Sequence, residues 1–376
     1  MICHHSGPHF DGIIPLFTKI GWAGVDLFFV LSGFLISGLL FAEYRKVQSI
    51  RIGRFLIRRG FKIYPSFYVF LVVAGIVAAH FSRTAMPGHH SLLHEIFFVQ
   101  NYLPGEWGHT WSLAVEEHFY VLLPIFLVVL AKRSTNRENP FRSVPIAFVF
   151  VAIISLASRA LFLLVPQQNP YLGLSFSATN SRMDALFFGV LLSYLYYFNS
   201  EPLKQFFLNY RNQLAILCAA LLSVPLIVSR ETPAFVTFGL TGMYLGFGIL
   251  LMLSLFVRDV LPSRMRPALS LVASGMAFLG VYSYSIYLWH IPMAFWTPAI
   301  GRRIFHVDLP VWVAFVVSFI ASLIVGITMA RVVEFPMLRI RERFFPTPNK
   351  GAHDPIAANL DPDQVLRYQA PGAADK

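Results

Sequence analysis

The sequence predicts an all-α, polytopic transmembrane helix bundle, and three observations carry that prediction. Hydrophobic residues make up 56% of the chain against 13% charged, where a soluble globular chain is nearer a quarter charged. Apolar runs of about 20 residues, the length that spans a bilayer core of roughly 30 Å, recur nine times. Lys and Arg fall between those runs rather than on a face of their own. The composition excludes a disordered chain and a soluble enzyme of ordinary surface. Cys3 and Cys218 cannot build a disulfide framework. The net charge of +11 therefore reads as membrane topology, with the lipid bilayer as surroundings and no nucleic-acid partner.

The first run, 22–41, opens near Asp26, and Asp26, Val30 and Gly33 share one helical face with Ser32 beside it. A small residue on the stripe of a carboxylate suits close helix packing. Asp26 then reads as a packed structural carboxylate near a site, or as a first-turn acid favoured by the helix dipole. The connection to the second run, 62–82, contains Arg58-Arg59-Gly60-Phe61-Lys62-Ile63-Tyr64-Pro65. Three crowded cations there serve as a membrane anchor or as an anion site, with Arg supplying a fork of donors and Lys a mobile charge. The following loop, 83–110, is polar through His89, His90, Glu95, Glu106 and His109. Its spacing establishes no metal geometry, so a solvated loop and no metal are expected.

The third run, 112–131, follows Trp111, and Ser112, Glu116 and Tyr120 form a polar stripe with Glu117 adjacent. Such a stripe must face protein or water, not lipid. The fourth run, 144–165, carries Arg159 mid-span; the fifth, 183–198, follows Arg182 and includes Asp184. These two could pair with each other or with charges on other helices. The runs 213–229, a short one, and 235–257 carry no charged residue. In 276–296, Ser283, Tyr287 and His290 share a face, with Tyr284 alongside, and the last run, 311–333, closes on Glu334-Phe335-Pro336. An ionisable side chain at membrane depth costs several kcal/mol unless paired or hydrated, so each is a functional-site candidate.

Twenty-three of the 30 Lys and Arg fall in loops on one side, six on the other, with Arg159 mid-span. The positive-inside rule makes the rich side cytoplasmic. Residues 1–20 then lie outside, and one further span is expected upstream of Met1, giving ten. Residues 1–343 read as one membrane domain in a multi-pass protein of the cell membrane. Residues 344–376, rich in Pro, Ala, Asp and Asn, read as a disordered cytoplasmic tail.

Six motifs in order now carry a resemblance: Gly24 through Ile36, Arg58 through Pro65, Trp111-Ser112-Leu113 with Glu116-Glu117 and Tyr120, Arg182-Met183-Asp184, Ser283 through His290, and Glu334-Phe335-Pro336. The chain resembles the acyltransferase 3 family, integral-membrane enzymes that modify bacterial surface sugars. The resemblance implies about ten helices and transfer of an acyl group, acetyl above all, from acyl-CoA (acetyl-CoA expected) to a hydroxyl of a saccharide or glycan outside. It implies a catalytic histidine at His4 or His5, whose usual upstream Arg partner has no counterpart after Met1. A neutral imidazole can take the hydroxyl proton, and Glu116 or Glu117 would hold its tautomer. Arg58, Arg59, Lys62 and Tyr64 would meet the donor, with Lys62 standing where the family commonly has Arg. Asp26, Ser32, Trp111, Ser112, Tyr120, Arg182, Asp184, Tyr284, Tyr287, His290 and Glu334 would wall the site. A secondary transporter or flippase of a lipid-linked sugar would share the buried acids and basic inner face, but its usual paired repeats with broken helices are not visible in the sequence.

Overall fold

The computed structural model describes residues 21–82, 89–164, 171–230, 232–256, 266–306 and 310–346. His4, His5 and the tail from 347 lie outside the described residues. Helices follow one another without a strand among the described residues: α1 (Gly24–Val47), α2 (Ile52–Ser82), α3 (His89–Ile96), α4 (Trp111–Arg133), α5 (Val144–Leu164), α6 (Tyr171–Ser177) and α7 (Thr179–Phe198). The series continues with α8 (Ser200–Asn209), α9 (Arg211–Ile227), α10 (Leu240–Phe256), α11 (Arg266–Phe305), α12 (Val311–Met329) and α13 (Phe335–Phe344). One turn of π-helix, Ala330–Glu334, joins the last two.

Each of the nine apolar runs is helical over most of its described residues, but a count of nine spans is not confirmed. Six helical segments among the described residues are long and apolar enough to cross a membrane, and a seventh qualifies if α8 and α9, bent by 81°, act as one span. The helices that fall short, α7 and the described part of α11, are interrupted by the polar residues of the buried interior, Arg182 and Asp184 in one and Ser285, Tyr287 and His290 in the other. Polarity of function and hydropathy of the span compete within the same residues.

The bundle is assembled around α1 and α7. A Cβ added to Gly33 would lie 2.0 Å from Leu186 O, and one added to Gly189 would lie 2.3 Å from Val30 O. Two glycines therefore let these backbones meet without intervening side chains, the small-residue packing of membrane helices. The pair α11 and α12 meets similarly at Gly326, where a Cβ would lie 2.6 Å from Ile286 Cα. Phe29, Phe34, Phe41, Phe67, Phe70, Phe119 and Phe141 fill the remaining interior. On the outside, Ile146, Val149, Phe150 and Ile153 of α5 are exposed, a row suited to lipid tails and costly in water.

Two buried ion pairs lock α7 to its neighbours. Arg182 donates to Asp26 Oδ1 of α1 at 2.7 Å, and Arg159 of α5 donates to Asp184 Oδ2 at 2.8 Å. Arg182 and Asp184, two residues apart, thus pair with other helices and not with each other. The Arg182 guanidinium is also walled by the rings of Phe29, Trp111 and Phe176, 5.1–5.7 Å away, a cation–π setting that compensates lost hydration.

The 89–110 stretch departs from the solvated loop expected of it. Helix α3 and the chain after it fold into a cap with Glu95, Gln100, Asn101, His109 and Thr110 buried. Phe98 adopts a left-handed backbone (φ 55°) and stacks on Phe67 at 4.7 Å. A bulky residue pays strain for that conformation, and the buried ring contact offsets it.

Candidate active site

Helix α4 supplies the axis of a buried polar line. With 3.6 residues per turn and 1.5 Å rise, Ser112, Glu116 and Tyr120 stack along one face over about 12 Å. Three neighbouring helices answer that face. Ser32 of α1 donates to Glu116 Oε1 at 2.5 Å and lies 3.1 Å from the Tyr120 hydroxyl, which also donates to Glu116. Tyr64 of α2 donates to Glu117 Oε2 at 3.0 Å. Tyr287 of α11 lies 2.6 Å from Ser112 Oγ. Both carboxyl groups are thus held by hydroxyls inside an apolar bundle, where an unpartnered one would be costly.

At one end of this line the surroundings are basic. The Arg59 guanidinium lies over the Tyr120 ring, 5.1 Å from its centre. Lys62, half-buried, lies in the field of Glu334, Arg59 and Glu116. Glu334, turned inward by the π-helical turn, accepts from Ser285 at 2.8 Å, and Tyr284 donates to Ile63 O at 2.9 Å. Arg58 is turned elsewhere: it pairs with Glu342 of α13 at 2.7 Å and donates to Phe345 O. Arg59 and Lys62 therefore face the line, while Arg58 ties the last helix to α2.

At the other end stand two histidines. His290 Nδ1 lies 2.5 Å from Tyr287 O and His109 Nε2 lies 3.1 Å from Leu288 O. A carbonyl only accepts, so each of those nitrogens carries its proton and both rings are fixed in tautomer. Their centres are 5.2 Å apart, with Tyr287 5.5 Å from each. Tyr287 also donates to His109 O. Of the residues expected to wall the site, Ser32, Ser112, Tyr120, Tyr287 and Glu334 gather on or beside the line with Glu116 and Glu117. Asp26, Arg182 and Trp111 form a separate structural cluster at the head of α1. Asp184 pairs with Arg159, which also donates to Thr241 Oγ1 at 2.9 Å and Ser181 O at 3.3 Å.

His109, Glu95 and Ser285 are also buried, although little in their local sequence sets them apart. His109 lies two residues before Trp111 in a stretch whose polarity predicts a loop, and only its adjacency to the Trp-Ser motif marks it. Ser283, expected on the His290 face, is exposed and bonds Gly280 O, while its neighbour Ser285 points inward. Among the described residues no group of His, Cys, Asp or Glu is arranged to hold a metal ion.

Comparison with known proteins finds relatives over most of the chain. A family model for the acyltransferase 3 group, described as an acyltransferase domain, matches residues 1–331. The peptidoglycan O-acetyltransferase OatA of Listeria monocytogenes is 28% identical over 362 residues, 90% of this chain and 54% of its own length. A putative O-acetyltransferase of Staphylococcus aureus strain COL is 28% identical over 323 residues, 79% of this chain and 49% of its own. The O-acetyltransferase OatA of Staphylococcus aureus strain NCTC 8325 is 25% identical over 339 residues, covering 84% and 52%. The chain spans about half the length of these curated relatives. No solved structure matches it.

Proposed function

This chain belongs to the acyltransferase 3 family, and from that premise we propose that it is a multi-pass membrane O-acyltransferase. It takes an acyl group, acetyl first among them, from acyl-CoA at the cytoplasmic face and delivers it to a hydroxyl of an envelope glycan outside. The acceptor class follows the Listeria relative, whose name specifies peptidoglycan. The membrane domain extends over residues 1–343, and the lipid bilayer surrounds it.

The single observation that supports this reading is the Ser112–Glu116–Tyr120 line, cationic at one end and imidazole-lined at the other. Arg59 and Lys62 suit the phosphates of a CoA-type donor, a fork of donors beside a point charge. Arg58 contributes less directly, since Glu342 already neutralises it. Tyr64, beside Glu117, borders the donor's path. The acceptor hydroxyl loses its proton to a histidine, His4 or His5, as its oxygen gains the acyl carbon. The C–S bond of the thioester breaks, and CoA leaves as the thiol. Glu116 and Glu117, already held by hydroxyls, supply the negative charge that stabilises an imidazolium in the low-dielectric interior.

Purified full-length protein in proteoliposomes, given acetyl-CoA and a peptidoglycan acceptor, tests the proposal by mass spectrometry of the glycan. Wild type should add acetyl groups. Glu116→Gln, and the double substitution His4→Ala with His5→Ala, should each lower turnover roughly 100-fold or more with protein accumulation retained. Full activity in the double variant removes the general-base assignment. Substrate uptake without acyl transfer would establish the transporter reading instead.

A further inference from the structure

The cap holds a carboxyl group that the reaction above does not use. Glu95 is fully buried outside the membrane-spanning helices, and everything around its two oxygens belongs to the segment leading into α4. Trp107 N–H donates to Oε1 at 2.9 Å, and Thr110 Oγ1 lies 3.0 Å from Oε1 and 2.8 Å from Oε2. Gly105 packs so closely that a Cβ there would lie 2.8 Å from Oε1. Thr110 occupies the N-cap of α4, where a hydroxyl normally bonds the first turn, yet it makes no cap bond. Its hydroxyl is given to Glu95 and to Trp107 O, 2.7 Å away.

A single hydroxyl proton cannot serve Trp107 O and the carboxyl oxygens together. A protonated Glu95 fits these contacts: its O–H donates to Thr110 Oγ1, Thr110 donates to Trp107 O, which also accepts the Thr110 backbone N–H at 3.0 Å, and the other oxygen accepts from Trp107 N–H. Burial, with repulsion from Glu106 adding to it, pushes the Glu95 carboxyl up to about 7, so the neutral acid is accessible near neutrality.

The segment clamped in this way is also gripped from the opposite side. Gln100 Nε2 donates to Thr110 O at 3.1 Å. One residue earlier, His109 bonds Leu288 O and packs against Tyr287 and His290; two residues later, Ser112 meets the Tyr287 hydroxyl. We propose that Glu95 is a positioning residue of the active site: it clamps residues 107–110 so that His109 and the first turn of α4 are presented to Tyr287 and His290. The proposal rests on the acyl-transfer reading for its effect on turnover, but its structural half does not.

The test uses the full-length protein in lipid nanodiscs, with hydrogen–deuterium exchange over residues 107–113 and steady-state transfer from acetyl-CoA. Glu95→Ala should speed exchange in that segment and lower kcat roughly 10- to 100-fold, the scale of an ångström-sized misplacement. The KM for acetyl-CoA should stay within about twofold, because Glu95 lies in the cap, away from Arg59 and Lys62, and its loss removes no contact that binds the donor in the ground state. Glu95→Gln reproduces the neutral acid, its amide donating to Thr110 and its oxygen accepting from Trp107, and should restore both readouts. A Glu95→Ala enzyme with wild-type kcat and exchange overturns the proposal, as does a Gln variant no better than Ala. If the Ala variant does not accumulate, Thr110→Val decides: slower turnover with faster exchange supports the clamp, and wild-type values for both overturn it. A wild-type protein that transfers no acyl group overturns the function reading instead, and the exchange data then judge Glu95 alone.

Discussion

Replacing Gly33 by Ala should damage this protein more than any other single methyl group added to α1. The methyl carbon would sit 2.0 Å from Leu186 O and 3.1 Å from Gly189 Cα. Real contacts of that kind begin near 3.0 Å, so α1 and α7 must part by about 1 Å or more. The obstacle is backbone, which cannot swing aside as a side chain would. Asp26 lies seven residues away on the same stripe, two turns or about 10 Å along the helix. Moving α1 outward by that distance would stretch the 2.7 Å Arg182–Asp26 bond beyond hydrogen-bond range. Overpacking alone costs roughly 1–3 kcal/mol, and opening a buried ion pair roughly 3–5 kcal/mol. The two are coupled and do not simply add, so a loss of about 3 kcal/mol is the lower expectation. For a chain of this size that is a fall in Tm of roughly 5 °C, read by thermal unfolding in detergent. Gly24→Ala is the control, since a Cβ there meets nothing within 4 Å. A Gly33→Ala protein that melts with the Gly24→Ala protein would refute the close-approach argument.

Other outcomes follow from the same geometry. The Glu95 carboxyl is raised from 4.5 to about 7, so between those values the folded chain keeps a proton that the unfolded chain has released. Its contribution to stability is full below about pH 4.5, is lost as pH rises to about 7, and amounts to about 3 kcal/mol; Glu95→Gln should remove that slope, and identical Tm–pH curves for both proteins would contradict it. Arg159→Met should leave Asp184 charged and unpaired within the bundle and cost roughly 3–5 kcal/mol, whereas adding Asp184→Asn should recover much of the loss; a double variant as unstable as the single would refute the pairing. Arg59→Ala should raise the KM for acetyl-CoA roughly tenfold, the loss of one or two charged hydrogen bonds, and an unchanged KM would return Arg59 to a purely anchoring role.

The parts of this protein legible in its sequence are those governed by lipid. Every apolar run became a helix because a backbone in hydrocarbon has no other way to satisfy its polar groups. The Asp26–Val30–Gly33 stripe and the Ser112–Glu116–Tyr120 stripe were readable because helical periodicity puts such residues on one face, and both faces pack inward. The partners of those stripes were not readable, because pairing across helices depends on where distant segments meet. Nothing in Arg182-Met183-Asp184 says that its two charges turn to different helices, or that Arg58 serves α13 while Arg59 turns to Tyr120. The inward turn of Glu334 depends on one π-helical turn, and the burial of Glu95 and His109 on a cap whose local sequence is polar enough for water. Spacing along one helix settled which side chains share a face; only the packed structure decided which of them meet, because contacts between helices are fixed by backbone approach at glycines and by competition among buried charges.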